Sequence, residues 1–540
     1  MKLFNKITVN KKFITLSLVS GVLLWAGWPS FPFFPLLFFG FVPLLYLEHE
    51  IFVANMFGKK WRLFPYIYVA FLIWNISTTW WVWNSTSIGA ILAFVLNALL
   101  MCIPFMLFHH VRTKFGKSLG YLSLIVFWIT FEYLHMRWDL SWPWLTLGNG
   151  LSRFPYFIQW YEYTGHLGGS LWILVMNILI FETINPVLSF SEKFNFKKII
   201  LPSVILVVPV LISLFIYSDY YSQFALVKRV TKNVVAVQPN IDPYNEKFDY
   251  STLDAQMTRL LSLSAQKVDS TTDYLVWPET AIPEPIWLDS IESNPYIIQI
   301  RAFLKKYPKL KIVTGVAAYH TFDSKKTATT FKEGGMWVEE YNAAIQLDSS
   351  KKVPVYYKSI LVPGVESIPY PAFFSFLEPL LIKEGGTSAS YGRQDYRSVF
   401  YSKDGTGVAP VICYESIFGE YVSDYVKNGA NLIFIMTNDG WWGNTDGHLQ
   451  HLYYGTMRAI ENRRYIARAA NTGTSCFINE RGDILQPTEW WQPAVISDSI
   501  NPNAKQTFYT RYGDYIGFYA LLISAILILL TVVKFIFERV

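Results

Sequence analysis

Three ionisable side chains close short apolar runs in this 540-residue chain. "DYLVWPET" (273–280) ends in Glu279 behind a proline that stops a strand, "VPVYYKSILVPGVE" (353–366) presents Lys358, and "VAPVICYES" (408–416) presents Cys413. A carboxylate, an ammonium and a thiol brought together can perform nucleophilic acyl chemistry. The thiolate attacks, and a nearby lysine favours it by charge. The carboxylate takes the thiol proton and later returns it to a leaving group. The ammonium steadies the oxyanion of a tetrahedral intermediate. Taken singly, each group also has a plain structural reading. A cysteine after an apolar run is more often inert core, a lone WPE is a turn, and a lone YYK is a strand edge.

Juxtaposing the three requires a scaffold, and residues 219–510 read as one. "NVVAVQPNI", "DYLVWPET", "LKIVTGVAAY", "YNAAIQLD", "GVAPVICYES", "NLIFIMTND" and "YIARAANTGTSCFIN" are short β-branched runs bounded by turn residues. Residues 251–267, 294–306 and 448–464 carry helical spacing between them. The pattern predicts an α/β layered domain around a buried sheet, and open α/β sheets place their chemistry at strand ends.

The rest of the chain belongs to a bilayer. The composition is 52% hydrophobic and only 16% charged, well below the charge of a soluble protein. Apolar stretches near 13–28, 31–47, 63–83, 88–108, 119–135, 168–188, 199–217 and 515–533 are each long enough to cross a membrane. The basic start and apolar body at the N-terminus resemble a signal peptide. No small-residue cleavage site comes after them, however, so two helices joined by "PSFPFFP" are expected. Lys2, Lys6, Lys11 and Lys12 precede the first stretch; Lys59, Lys60 and Arg62 follow the second; Arg112, Lys114 and Lys117 the fourth; Lys193, Lys197 and Lys198 the sixth; Lys534 and Arg539 the last. The intervening loops hold only Arg137 and Arg153. Basic loops stay cytoplasmic, so seven spans in 1–218 place 219–510 on the outer face and an eighth in 511–540 returns the tail inside.

Other candidates are quieter. His448 and His451 are helix neighbours without an evident third ligand, so structural roles are expected and no metal site is assigned. Cys102 lies within a span, Cys476 reads as core, and three cysteines are too few for a disulfide framework. Glu132 is an ionisable group at membrane depth, a functional candidate by default. "SWPWLTLGNG" (141–150) reads as an amphipathic outer-surface loop, bordering a lipid entrance or forming an interfacial aromatic belt.

"WPET", "YYKSILVPGVE", "ICYES" and "TNDGWWG", in that order, resemble the nitrilase superfamily with its Glu-Lys-Cys triad. Seven spans before such a domain and one after it resemble its membrane-embedded branch, the apolipoprotein N-acyltransferases. The resemblance implies an eight-helix membrane protein carrying an outer α-β-β-α sandwich. It implies Glu279 as general base, Lys358 as oxyanion stabiliser and Cys413 as nucleophile, supported by Glu366 and Glu415. For Glu415 a partnership with local backbone or with Lys358 is the structural alternative. Tyr414, Trp441 and Phe248 are substrate-binding candidates, Phe248 standing where the family has a loop tryptophan. Arg458 resembles an arginine usual in this branch, expected to bond a strand-end carbonyl or a carboxylate. "VPGVE" replaces the family's VPFGE, with the glutamate in place and the glycine moved.

The activity implied is transfer of an acyl chain from a phospholipid such as phosphatidylethanolamine, through a Cys413 thioester, to the α-amino group of a diacylglyceryl-cysteine at an apolipoprotein N-terminus. No cofactor and no nucleic acid are expected. The expected form is a monomer in the bacterial inner membrane with its catalytic domain in the periplasm. A membrane-tethered amidase is the alternative. A transporter is disfavoured by spans that lack paired charges and broken repeats.

Overall fold

The computed structural model describes residues 10–56, 62–188, 195–226, 230–374 and 390–538. Lys2, Lys6, Lys59, Lys60, Lys193 and Arg539, which contribute to the charge alternation, lie outside the described residues.

Helices meet all eight apolar stretches, the expected 31–47 being displaced: a 3-10 turn (Phe34–Phe38) leads into a helix that starts only at Val42. The helices are α1 (Lys11–Ala26), α2 (Val42–Met56), α3 (Phe64–Thr79), α4 (Ser87–Phe115, with a π-helical turn at Leu92–Leu96), α5 (Lys117–His135), α6 (Tyr161–Leu188) and α7 (Ile200–Leu226), with one more after the sheets. Among the described residues, five segments are both long and apolar enough to cross a membrane: Phe34–Met56, Ser87–Phe115, Tyr161–Pro186, Phe196–Tyr220 and Tyr515–Phe537. The 16-residue helices α1 and α3 rise only about 24 Å at 1.5 Å per residue, short of a hydrocarbon core of roughly 30 Å.

Two sheets come next. The first runs β14-β1-β2-β4-β6-β5 (β5, Phe331–Glu333), with β3 (Ile286–Trp287) beside β4 and β7 beside β6; the second runs β13 (Ile484–Leu485)-β12-β11-β10-β9-β8 (Phe400–Tyr401). The strands that bear on the site are β1 (Lys232–Gln238), β2 (Tyr274–Val276), β4 (Lys311–Phe322), β6 (Met336–Leu347), β7 (Val355–Tyr357), β9 (Gly407–Ile412), β10 (Leu432–Thr437), β11 (Ile466–Ala470), β12 (Cys476–Ile478) and β14 (Ala494–Ile500). β1, β2 and β4 are parallel, as are β9, β10 and β11; β6 returns antiparallel on β4.

Side-chain alternation along each strand sets the layers. Val234 and Ala236 of β1 join the core shared with the second sheet, where Tyr274 meets Phe434 at 5.4 Å. Val235 and Val237 turn the other way, onto Met257 and Leu260 of α8 (Leu253–Ala265) and Ile297 and Ile300 of α9 (Pro295–Leu304). On the far side, α10 (Gly419–Lys427) and α11 (Asp446–Asn462) cover the second sheet. The result is an α-β-β-α sandwich, and α12 (Tyr515–Phe537) completes the chain.

The sandwich and the membrane helices share one continuous hydrophobic core. The seam is α11, with 14 of its 17 residues buried. Gln450 accepts from Trp144 Nε1 at 2.6 Å and donates to Ser30 Oγ and the Thr78 carbonyl. Tyr454 accepts from Trp28 Nε1, and Thr456 donates to the Ser152 carbonyl. Residues 141–150 are therefore not a surface loop. Trp144, Leu145 and Leu147 are at most 2% exposed, because the loop fills the space between helices and sandwich. Glu132 anchors it by accepting from the Leu147 amide at 2.8 Å and from Trp128 Nε1 at 3.0 Å.

Candidate active site

Glu279 lies three residues beyond β2, on a segment that continues beside β4. The Gly315 amide donates to the Pro278 carbonyl at 3.1 Å, and the Ala281 amide to the Gly315 carbonyl at 2.9 Å. This close approach requires a glycine, since a Cβ at position 315 would stand 2.6 Å from Glu279 Cα. The next residue, Thr280, takes a left-handed backbone at φ +45°. Its carbonyl accepts from Lys247 Nζ at 2.6 Å. Lys247 is buried, which pulls its ammonium down to about 8, with the Glu279 carboxylate opposing.

Lys358 stands directly after β7 and is 1% exposed. Its ammonium donates to Glu279 Oε1 at 3.1 Å and to Glu366 Oε1 at 2.9 Å. Asn342, in the middle of β6, donates to the same two oxygens at 2.8 Å each. Burial alone would lower the lysine; the two carboxylates overcome it and hold the ammonium well above its ordinary value. The "VPGVE" segment closes on itself. Gly364 takes φ +80° and its amide bonds the Ser367 carbonyl, while Glu366 Oε2 accepts from the Val362 amide at 2.8 Å. The moved glycine thus occupies the left-handed position of a loop that aims the other oxygen of Glu366 at Lys358.

Cys413 begins a 3-10 turn directly after β9 and has φ +46°. A non-glycine residue held there costs on the order of 1–3 kcal/mol, and its surroundings must enforce it. Burial pushes the Cys413 thiol far up, and the carboxylate of Glu279 adds to that, while Lys358 opposes it. Burial thus favours the protonated form of the thiol.

Glu415 is fully buried but does not hydrogen-bond Lys358. Its Oε1 accepts from the Ser359 amide at 2.8 Å, the Tyr421 hydroxyl at 2.7 Å and the Tyr356 hydroxyl at 2.5 Å; Oε2 accepts from the Ile412 amide at 2.9 Å. The carboxylate staples the residue after Lys358 to the residue before Cys413. Burial raises it, and these donors oppose the rise.

Among the substrate-binding candidates, Tyr414 is buried in the seam, donating to the Ser141 carbonyl at 2.9 Å and stacking on Trp142. Phe248 is 69% exposed and lies over Trp441 with ring centroids 6.3 Å apart. Arg458 donates to the Ile417 carbonyl and to Glu461, both at 3.0 Å. His448 and His451 part company. His448 stacks on Trp490 at 4.1 Å, while His451 points to Asp439 and Ser416. Among the described residues no group of three or more His, Cys, Asp or Glu is placed to hold a metal ion. Cys102 donates to the Ala98 carbonyl within α4, and Cys476 is buried on β12.

Three residues at the site escape the sequence reading: Asn342, Lys247 and Asp439. Asn342 sits in an ordinary strand pattern, and Lys247 is one basic residue in a polar loop. Asp439 is the exception, since "TNDGWWG" already stood out as a motif.

Residues 233–508 match the carbon-nitrogen hydrolase family, and residues 20–179 match the apolipoprotein N-acyltransferase N-terminal domain. A protein of Chlorobaculum tepidum named apolipoprotein N-acyltransferase is 33% identical over 530 residues, 96% of each chain. Its namesake in Geobacter metallireducens is 28% identical over 92% of this chain and 91% of the relative. The namesake in Thermotoga maritima is 26% identical over 95% and 92%. With both halves matched and the likeness running end to end, the chain belongs to the apolipoprotein N-acyltransferase family, membrane acyltransferases built on a nitrilase-like domain.

Proposed function

We propose that the chain acylates lipoproteins in two steps through Cys413. Glu279 takes the Cys413 proton, and the thiolate attacks the ester carbonyl of a phospholipid, phosphatidylethanolamine being the expected class. A C–S bond forms, the C–O bond to glycerol breaks, and Glu279 passes its proton to the departing lysophospholipid oxygen. The α-amino group of a diacylglyceryl-cysteine then attacks the thioester and yields its proton to Glu279. The C–S bond breaks, the amide forms, and the proton returns to sulfur. Lys358 steadies the oxyanion in both steps. Phe248 and Trp441 serve as an exposed aromatic contact for acyl chains, and Tyr414 supports the site from the seam. In the same reading the eight helices cross a bacterial inner membrane, the short α1 and α3 together with the turns that follow them, a single chain suffices, and the sandwich faces the periplasm where both lipid-anchored substrates meet it.

The observation that carries this reading is a buried thiol on a left-handed turn, within electrostatic reach of Lys358 and of the carboxylate that shares its ammonium with Glu366. The test is mass spectrometry of the full chain incubated with phosphatidylethanolamine vesicles and no acceptor. A thioester acyl adduct is expected on Cys413. It should be absent in Cys413→Ser and present in Cys476→Ser. An adduct on another residue, or release of free fatty acid at the same rate with and without a diacylated peptide acceptor, would refute the transfer.

A further inference from the structure

The left-handed turn at Cys413 is held from one direction by a chain of buried side chains. The Cys413 carbonyl accepts from Ser416 Oγ at 2.7 Å and lies 3.2 Å from His451 Nε2. The same ring nitrogen lies 2.8 Å from Ser416 Oγ. The other edge of the ring is gripped by Asp439 Oδ1, 3.0 Å from Nδ1, with Arg468 Nη2 at 3.3 Å. Asp439 in turn accepts from Thr437 at 2.7 Å and pairs with Arg468. Every one of these groups is at most 1% exposed, Cys413 apart, so the network is shielded from bulk solvent.

Counting protons assigns the ring. A serine hydroxyl has one proton, and a carbonyl has none. If Nε2 were bare, its lone pair would face two oxygens with a single hydrogen among three acceptors, and one close contact would be repulsive. If Nε2 carries a proton, it donates toward Ser416 Oγ and the Cys413 carbonyl, the hydroxyl donates onward to that carbonyl, and each contact on that edge is satisfied. We propose that His451 is a positioning residue for the nucleophile: protonated on Nε2 and held at its other edge by the Asp439–Arg468 pair, it clamps the Cys413 carbonyl directly and through Ser416, holding the thiol on its left-handed turn. Because Gln450, its neighbour on α11, is bonded to the membrane helices, the clamp also ties the nucleophile's backbone to the membrane part of the molecule. The inference rests on Cys413 being the acylated residue.

The test uses the full chain in lipid nanodiscs. Nitrogen NMR of histidine-labelled protein is expected to show a protonated Nε2 for His451, identified by its loss in His451→Leu and shifted in Ser416→Ala; a bare Nε2 overturns the clamp whatever the reaction proves to be. Under saturating phospholipid, the rate of Cys413 adduct formation in His451→Leu is expected to fall about 100-fold, as for a misplacement of the order of 1 Å, with the half-saturating phospholipid concentration unchanged. His451→Gln, whose amide can still donate, should recover part of the rate. The double variant with Ser416→Ala should be no slower than His451→Leu alone, because the two residues act as one chain. A lower melting temperature with the saturated rate intact would make His451 merely structural and overturn the proposal. So would effects of the two substitutions that simply multiply. Failure to see any adduct on Cys413 in the unsubstituted protein would instead remove the acyl-enzyme reading and leave the ring assignment standing on the NMR.

Discussion

Replacing Lys358 with methionine keeps the volume and removes the charge from the centre of the site. The ammonium contacts Glu279 at 3.1 Å and Glu366 at 2.9 Å. At an effective dielectric of about 20, a contact near 3 Å is worth roughly 5 kcal/mol of attraction. Burying the ammonium cancels much of that. Removing one partner of such a buried set typically destabilises by about 3–5 kcal/mol, because two carboxylates are left sharing only Asn342. With the oxyanion stabiliser proposed above gone, acyl-adduct formation should fall by about 100- to 1,000-fold. Adding Glu366→Gln to Lys358→Met removes one of the stranded carboxylates. The double variant should therefore regain roughly 2 kcal/mol of the lost stability and none of the activity. Denaturant midpoints in detergent, with mass-spectrometric adduct rates on the same samples, measure both. A double variant no more stable than Lys358→Met would mean that Glu366 and Glu279 do not oppose each other across the lysine, and the electrostatic account of the site would be wrong.

Glu279→Gln cannot accept the thiol proton and is expected to slow adduct formation by about 100- to 10,000-fold; formation at the normal rate excludes Glu279 as base. Gly315→Ala would drive a Cβ to 2.6 Å from Glu279 Cα and the Thr280 amide, so a drop of about 100-fold is expected from displacement of the base alone, read as adduct rate against a circular-dichroism melt. His448 is buried against Trp490 and held down to about 4 from an ordinary 6.5. Its neutral form is the one the fold favours. Stability is full above pH 6.5 and falls as pH drops toward 4, by about 3 kcal/mol. His448→Gln should flatten that part of the acid-unfolding curve; an unchanged slope between pH 6.5 and 4 refutes the assignment.

Much of the scaffold was legible because local pattern carries it. The seven expected strand runs correspond to β1, β2, β4, β6, β9, β10 and the β11–β12 pair, and the three helical spacings to α8, α9 and α11. The two-residue strands β3, β8 and β13 were not, since so few residues carry no period. The site was legible where a residue type announces chemistry at a strand end, as for Cys413. Asn342 was not legible, because its meeting with Glu279 across 63 positions depends on strand order and register. The surface reading of 141–150 failed for a related reason. Aromatic residues suit a membrane interface and a buried seam equally well, and only the docking of α11 decides between them.

That docking sets an order of assembly. α11 has almost no face left for water, and its partners Trp28, Ser30, Thr78, Trp144 and Ser152 all precede it in the chain. Chains are made from the N-terminus, and their parts tend to fold in that order. The seat for α11 is therefore synthesised before the helix itself, and β11 and β12, made after it, finish the second sheet against a helix already seated. A sandwich released without its membrane helices would expose that seat's apolar complement, and its nucleophile turn would have to form beside an unmoored helix. The second sheet of this chain is therefore expected to be completed only once the helices that seat α11 are in place.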